Sequence, residues 1–301
     1  MALRFGLLGT GYWAAETQAP ALAAHPEVEF AAVWGRDPAK AAALADRYGA
    51  RPYRDVDALL ADVDAVAVAL PPDVQAEVAL RAARMGRHLL LDKPLAFTTG
   101  AADRLVDEAD RHGVASVVFF TNRFCANVEE FLARLGEGDG WDGARGTMFA
   151  SIFRPGNPYG GSPWRREKGG LWDIGPHALS VILPVLGPVR QVVAAGGPHD
   201  TVYAILSHAG GATSTLALTL DAPSTATAFE FVFYGSGGFA SVPACDRSAV
   251  DAFADAASAL IRAAGGGDRH PCDLRFGREV VAILAAADQA RLSGSAVRLD
   301  G

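Results

Sequence analysis

Leu3-Arg4-Phe5-Gly6-Leu7-Leu8-Gly9-Thr10-Gly11-Tyr12-Trp13-Ala14 opens the chain, and its reading decides the fold. The run 3–8 is short and apolar, as a buried strand requires, and the Ala-rich stretch 14–24 behind it reads as a helix. Between them stands a GxGxxA turn. Gly9 permits the sharp reversal, Gly11 lets backbone come close to a pyrophosphate, and Ala14 allows close helix-on-strand packing. The helix start then offers free N–H groups to phosphate oxygens. Together with Thr10, Tyr12 and Trp13, these residues form the candidate dinucleotide-binding turn.

Working outward, the first 120 residues alternate apolar strands with helical stretches, the pattern of a doubly wound parallel sheet. Strands are expected at 4–8, 29–34, 65–69, 88–91 and 115–120, with helices at 14–24, 38–48, 56–60, 74–85 and 99–112. Pro71-Pro72 closes the third of these strands, so Leu70, Pro71 and Pro72 fall at the C-terminal edge of the sheet, where ligands bind in such folds. Beyond residue 121 the pattern changes to successive strands (145–153, 189–195, 202–208, 213–220, 228–234, 238–242), which implies a mainly antiparallel sheet. Helices at 126–135, 173–186, 248–264 and 274–292 are expected over one of its faces. The chain therefore divides into a dinucleotide-binding Rossmann domain, 1–121, and an α+β domain with an open, mainly antiparallel sheet for substrate binding and oligomerisation, 122–301. A sheet with one uncovered face favours a homo-oligomer, a dimer or tetramer.

Composition excludes several classes. The 301 residues carry a formal charge of −7 and are 50% hydrophobic, so there is no basic stripe for nucleic acid and ample material for two cores. Neither an apolar run of membrane-spanning length nor a charged leader is visible, which leads to an expectation of a cytoplasmic protein without a membrane partner. The three cysteines, Cys125, Cys245 and Cys272, are odd in number and far apart with no CxxC or Cys/His cluster, so neither a disulfide framework nor a structural metal is expected.

Two further segments carry chemistry. Leu90-Leu91-Asp92-Lys93-Pro94-Leu95 ends a buried strand with a lysine whose ammonium, held extended or cis by proline, can stabilise charge on a carbinol or carbonyl oxygen. Glu167-Lys168-Gly169-Gly170-Leu171-Trp172-Asp173-Ile174-Gly175-Pro176-His177 places Asp173 and His177 four apart, on one face if helical. Pro176 puts that helix's start beside them. A histidine can take a hydroxyl proton, and a carboxylate can orient it or a substrate hydroxyl.

These segments resemble the glucose-fructose oxidoreductase, inositol dehydrogenase and rhizopine catabolism (Gfo/Idh/MocA) oxidoreductases, over essentially the whole chain. The resemblance rests on Gly9-x-Gly11-x-x-Ala14, Pro71-Pro72 and Gly86-Arg87-His88 leading into Asp92-Lys93-Pro94-Leu95. It rests equally on Trp164-Arg165, Gly169-Gly170-Leu171-x-Asp173-x-Gly175-x-His177 and the closing Arg291-Leu292-Ser293-Gly294-Ser295-Ala296-Val297. It implies an NAD(P)-dependent oxidoreductase that moves a hydride between nicotinamide and a secondary alcohol or carbonyl of a sugar, cyclitol or related polyol. Lys93, Asp173 and His177 match the family's catalytic positions. Asp92 replaces its usual glutamate, and Gln75 stands where many relatives carry histidine. Two other readings of the same scaffold are an NAD-dependent glycosidase and a non-catalytic cofactor-binding regulator.

The end of the second strand bears on the cofactor. An acidic residue there bonds the ribose hydroxyls of NAD, whereas an arginine accommodates the extra phosphate of NADP. Here Gly35 takes the acidic position and Arg36 follows, with Asp37 reading as a helix cap before Pro38, so NADP is favoured over NAD. Arg123, Trp164, Arg165, Lys168 and Trp172 are candidates to line a polar substrate pocket. Arg154, Asn157 and Tyr159 lie in a Pro- and Gly-rich loop that could serve as a lid.

Overall fold

A computed structural model describes residues 2–138 and 140–299, and the chain forms two compact units. The first comprises Met1–Phe124 and Arg247–Arg278, the second Cys125–Asp246 and Glu279–Gly301.

In the first unit, β1 (Leu3–Leu8), β2 (Val28–Trp34), β3 (Arg51–Tyr53), β4 (Ala65–Val68), β5 (His88–Asp92) and β6 (Ser116–Phe119) make one parallel sheet in the order β3-β2-β1-β4-β5-β6. The order reverses beside β1, so the chains leaving the paired ends of β1 and β4 lead to opposite faces of the sheet, and the C-terminal edge between them is the usual ligand position in such sheets. The expected strands are all present. The short β3 was not foreseen, because Arg51-Pro52-Tyr53 carries too few apolar residues to signal a strand. It forms by pairing with β2 over Ala32 to Trp34. Asp37 caps the helix Pro38–Tyr48 as expected, accepting from the N–H groups of Ala39 and Lys40.

The helix Ala249–Ala264 departs from expectation. It packs on β5, β6 and the first helix, inside the first unit, rather than on the second sheet. Its apolar face, Ala252, Phe253, Ala256, Ala257 and Leu260, is fully buried, with the Phe253 ring 5.0 Å from that of Phe119. Burial of that stripe stabilises whichever surface it finds, and helical periodicity alone names no partner. A contiguous second domain over 122–301 is accordingly replaced by a discontinuous one.

In the second unit, β7 (Trp141–Phe149), β8 (Val189–Gly196), β9 (Val202–His208), β10 (Thr213–Thr219), β11 (Ala228–Gly235), β12 (Gly238–Ser241) and β13 (Val297–Arg298) form a mixed sheet, ordered β12-β11-β7-β10-β9-β8-β13. All pairings are antiparallel except β10 with β7, which is parallel. β9 shows strict alternation. Val202, Ala204, Leu206 and His208 point into the core, while Tyr203 and Ile205 are half exposed. The inner face is covered by Pro163–Asp173 and Gly175–Leu186. The segment Pro163–Leu186 is long and apolar enough to cross a membrane, against the expectation of no such run. Since 83% of its most apolar window is buried in the fold, it serves as a core element.

Cys125 and Cys245 form a disulfide that closes 120 residues of chain, which corrects the expectation of none; Cys272 is free and buried. Sequence distance concealed the pair. The fold brings Cys125, at the start of the helix Ala126–Gly136, next to the segment after β12, where Asn127 also donates to the Ala244 carbonyl. Among the described residues no cluster of metal-ligating side chains occurs.

Candidate active site

The first unit gathers the glycine turn, the end of β2, the β4 loop and the lysine turn. Gly9 has φ +138°, and a Cβ there would lie 2.5 Å from the Ala69 carbonyl oxygen, so only glycine fits between the β1 and β4 loops. Its N–H donates to the Trp34 carbonyl, and the Ala69 N–H donates to that of Leu8. The Thr10 side chain packs against Gly35, where a Cβ would stand 2.6 Å from it. Gly11 faces open space, with nothing within 4 Å of a Cβ position, and Tyr12 is 54% exposed.

A π-helical turn, Ala14–Gln18, follows and leads into the helix Ala19–Ala24. Sequence periodicity gave no sign of it, since π turns are rare and have no composition of their own. The turn, the close-packed Gly9 and the open space over Gly11 fit a dinucleotide pyrophosphate. Arg36 is exposed at the end of β2, with no ion pair among the described residues.

Leu70 and Pro71 are half-buried, and Pro72 begins the helix Pro72–Arg84. One turn on, Gln75 is 1% exposed and braces the lysine turn. Its Nε2 donates to the carbonyls of Asp92 (2.7 Å) and Pro94 (3.1 Å), while its Oε1 accepts from the Asp92 N–H (2.9 Å). Asp92 Oδ1 accepts from the Lys93 N–H at 2.8 Å, and the Lys93-Pro94 bond is cis. The glutamine in place of histidine is thus committed to holding the Asp92-Lys93-Pro94 backbone. Arg123 also lies in this unit, 7% exposed, with its guanidinium over the Phe276 ring. Burial, and then the charges of Arg123 and Arg262, push the nearby His270 down to about 4.

Asp173 and His177 belong to the second unit, and the sharing of one helix face needs correction. Asp173 ends one helix, Pro163–Asp173. His177 sits in the first turn of the next, Gly175–Leu186, with Ile174 between them and Pro176 at the new start. The Ser180 hydroxyl donates to the His177 carbonyl at 2.8 Å. Asp173, 7% exposed, accepts from Arg165 Nε at 3.0 Å. Trp164 and Lys168 are half-buried, the latter paired with Glu167 at 3.2 Å, and Trp172 is 3% exposed within the core.

Upstream, Gly169 breaks the helix at φ +63°, ψ −162°, a conformation essentially reserved to glycine. The Asp200 carboxylate fills the space where its side chain would be. A Cβ at Gly170 would lie 2.8 Å from the Thr219 backbone. Asp200 comes from the Pro198–Thr201 turn, in which His199 and Asp200 both adopt positive φ (55° and 52°). Burial raises its carboxyl above the usual range, Arg291 opposes this, and Asp221 and Asp288 add to it. Sequence reading missed Asp200, which lies in an exposed Gly-Pro-His-Asp hairpin connection far along the chain from Gly169.

Residues 3–120 match the oxidoreductase family with an NAD-binding Rossmann fold, and residues 143–241 match the Gfo/Idh/MocA C-terminal domain. D-xylose 1-dehydrogenase (NADP(+)) 2 of Haloferax volcanii is 30% identical over 236 residues, 74% of this chain and 71% of that protein. The chain belongs to the Gfo/Idh/MocA oxidoreductase family. A further relative of this Gfo/Idh/MocA chain is the dTDP-3,4-didehydro-2,6-dideoxy-alpha-D-glucose 3-reductase of Streptomyces antibioticus. It is 36% identical over 193 residues, 62% of this chain but 57% of the relative's length. The fold matches the WlbA dehydrogenase from Bordetella pertussis, solved in complex with NADH and UDP-GlcNAcA, with TM-score 0.86 and 23% identity over 100% of both chains.

Proposed function

We propose that this Gfo/Idh/MocA chain is an NAD(P)-dependent oxidoreductase acting on a secondary alcohol or carbonyl of a sugar, a cyclitol or a nucleotide-linked sugar, with NADP preferred. The observation that carries the reading is the placement, at the C-terminal edge of one parallel sheet, of the Gly9–Ala14 turn and an Asp92-Lys93-Pro94 turn braced by Gln75, with the Gln18 amide donating to Asp92 Oδ2 at 3.4 Å. The sugar reductase and dehydrogenase among its relatives support the substrate class.

A nicotinamide cofactor held by the glycine turn would supply hydride exchange with the carbinol or carbonyl carbon. The chain's own groups manage the oxygen and its proton. In the oxidative direction His177 takes the hydroxyl proton, Asp173 orients that hydroxyl, and the Lys93 ammonium donates to the oxygen as negative charge develops. The half-exposed apolar residues Val193, Tyr203 and Ile205 on the outer face of the second sheet support a homo-oligomer, a dimer or tetramer, which light scattering of the purified chain checks.

The test is a thermal-shift comparison of NAD, NADH, NADP and NADPH, extended to sugars, cyclitols and nucleotide sugars with the preferred cofactor, since a ligand of the folded state raises its apparent stability. No shift with any nicotinamide would remove the reading. Sugar release from a glycoside without net NADH formation would point to the glycosidase chemistry instead. In Arg36→Ala we expect NADPH affinity to fall about 10- to 100-fold, the worth of a charge-assisted phosphate contact, with NADH affinity unchanged. Equal losses for both cofactors would assign Arg36 to something other than the 2′-phosphate.

A further inference from the structure

We propose that Arg165 is the positioning residue of the Asp173 carboxylate rather than a contact for substrate, an inference that rests on the oxidoreductase reading above. Arg165 Nε donates to Asp173 Oδ2 at 3.0 Å, with the two side chains 22% and 10% exposed. The guanidinium plane is held in turn by two aromatic rings. Its central carbon lies 4.5 Å from the Trp164 ring centre and 5.1 Å from that of Tyr159. Tyr159 belongs to the Pro- and Gly-rich loop, so that loop acts here as one wall of the arginine's slot.

The contact depends on the break in the helix. Residues eight apart on an uninterrupted helix are separated by about 12 Å along its axis. Gly169 redirects the chain between Arg165 and Asp173 and so permits them to meet. The break is itself fixed by the Asp200 carboxylate filling the space beside Gly169 and by the close approach of Gly170 to the Thr219 backbone. Asp173 is therefore held from two sides. The backbone is set by the Gly169-Gly170 seat, and the carboxylate is set by a guanidinium that cannot swing away without leaving both rings. A lysine does not reproduce this, because an ammonium has neither a planar face to stack nor a donor along its stem.

The experiment measures Arg165→Ala, Arg165→Lys and Arg165→Gln at saturating cofactor, with added ethylguanidinium or ethylammonium. Arg165→Ala is expected to lower kcat about 10- to 100-fold, as for loss of a charge-assisted hydrogen bond, while the nicotinamide Kd changes less than about twofold. Ethylguanidinium should restore a large part of the loss, ethylammonium should not, and Arg165→Lys should remain as impaired as the alanine variant. In an Asp173→Asn background, Arg165→Ala should have almost no further effect.

An unchanged kcat, a rise in KM alone, or a loss that no guanidinium rescues would each overturn the proposal. Independently of turnover, a crystal structure of Arg165→Gln should show the Asp173 carboxylate rotated from its present position; an unmoved carboxylate would also overturn it. If the wild-type chain turns over none of the sugars, the oxidoreductase reading fails, whereas the crystallographic comparison still decides whether Arg165 positions Asp173.

Discussion

Lys93→Ala is expected to lower kcat by about 10²- to 10³-fold, the cost of removing one preorganised donor from a developing oxyanion. His177→Ala should lose about 10²- to 10⁴-fold, the range for an absent general base. The lysine result follows from how its backbone is fixed. The turn hangs from the end of β5, Asp92 Oδ1 accepts from the Lys93 N–H, and the buried Gln75 amide binds backbone atoms on both sides. The position of the Cα is therefore independent of the ammonium, and truncation should leave the glycine turn intact. Steady-state kinetics beside a cofactor titration separate the two contributions. Wild-type kcat in both variants would refute the assigned roles, and loss of cofactor binding together with kcat in Lys93→Ala would make that lysine a cofactor ligand.

Opening the disulfide should produce the largest effect on stability. In the loop-entropy view a cross-link spanning 120 residues stabilises the folded state by as much as about 5 kcal/mol, and native disulfides commonly contribute about 2–5 kcal/mol. Cys125→Ser or Cys245→Ser should therefore lower the melting temperature of the second unit by on the order of 10 °C, at about 2–4 °C per kcal/mol for a unit of this size. Calorimetry of wild type with and without reductant, beside the two variants, checks this. Thiol counting provides the chemical control. With three cysteines, two of them bonded, the denatured unreduced chain should show one reactive thiol and the reduced chain three. Three thiols without reductant would show that the pair is not oxidised in the purified protein. Disulfides are rare where glutathione and thioredoxin keep thiols reduced, so the count also bears on the expectation of a cytoplasmic protein.

What was readable along the chain was mostly local. The strand, glycine turn and helix at residues 3–24 are adjacent in sequence, and their spacing reports backbone needs that hold before any tertiary contact forms. The Asp37 cap and the alternation in β9 are legible for the same reason, because each is decided within a few residues. The family resemblance then pointed to Lys93, Asp173 and His177 as the catalytic candidates, whose roles the kinetics of the variants above test.

Partner choice was not readable. The helix Ala249–Ala264 declares an apolar stripe but not the sheet it covers, and β10 reads as a strand without revealing that it lies parallel to β7. In the sequence Gly169 is one of a glycine pair within the family-like Gly169-Gly170-Leu171-x-Asp173 segment. In the fold it is a fixed break that turns Arg165 onto Asp173 and leaves room for Asp200 from thirty-one residues away. The sequence by itself determined that the chain would build a Rossmann sheet with a dinucleotide turn, because glycine conformations and hydrophobic period act over a few residues. Only the tertiary structure decided the Cys125–Cys245 bond, the bracing by Gln75 and the seat of Asp173. Each of these depends on groups from distant segments meeting in space, and no local period records such a meeting.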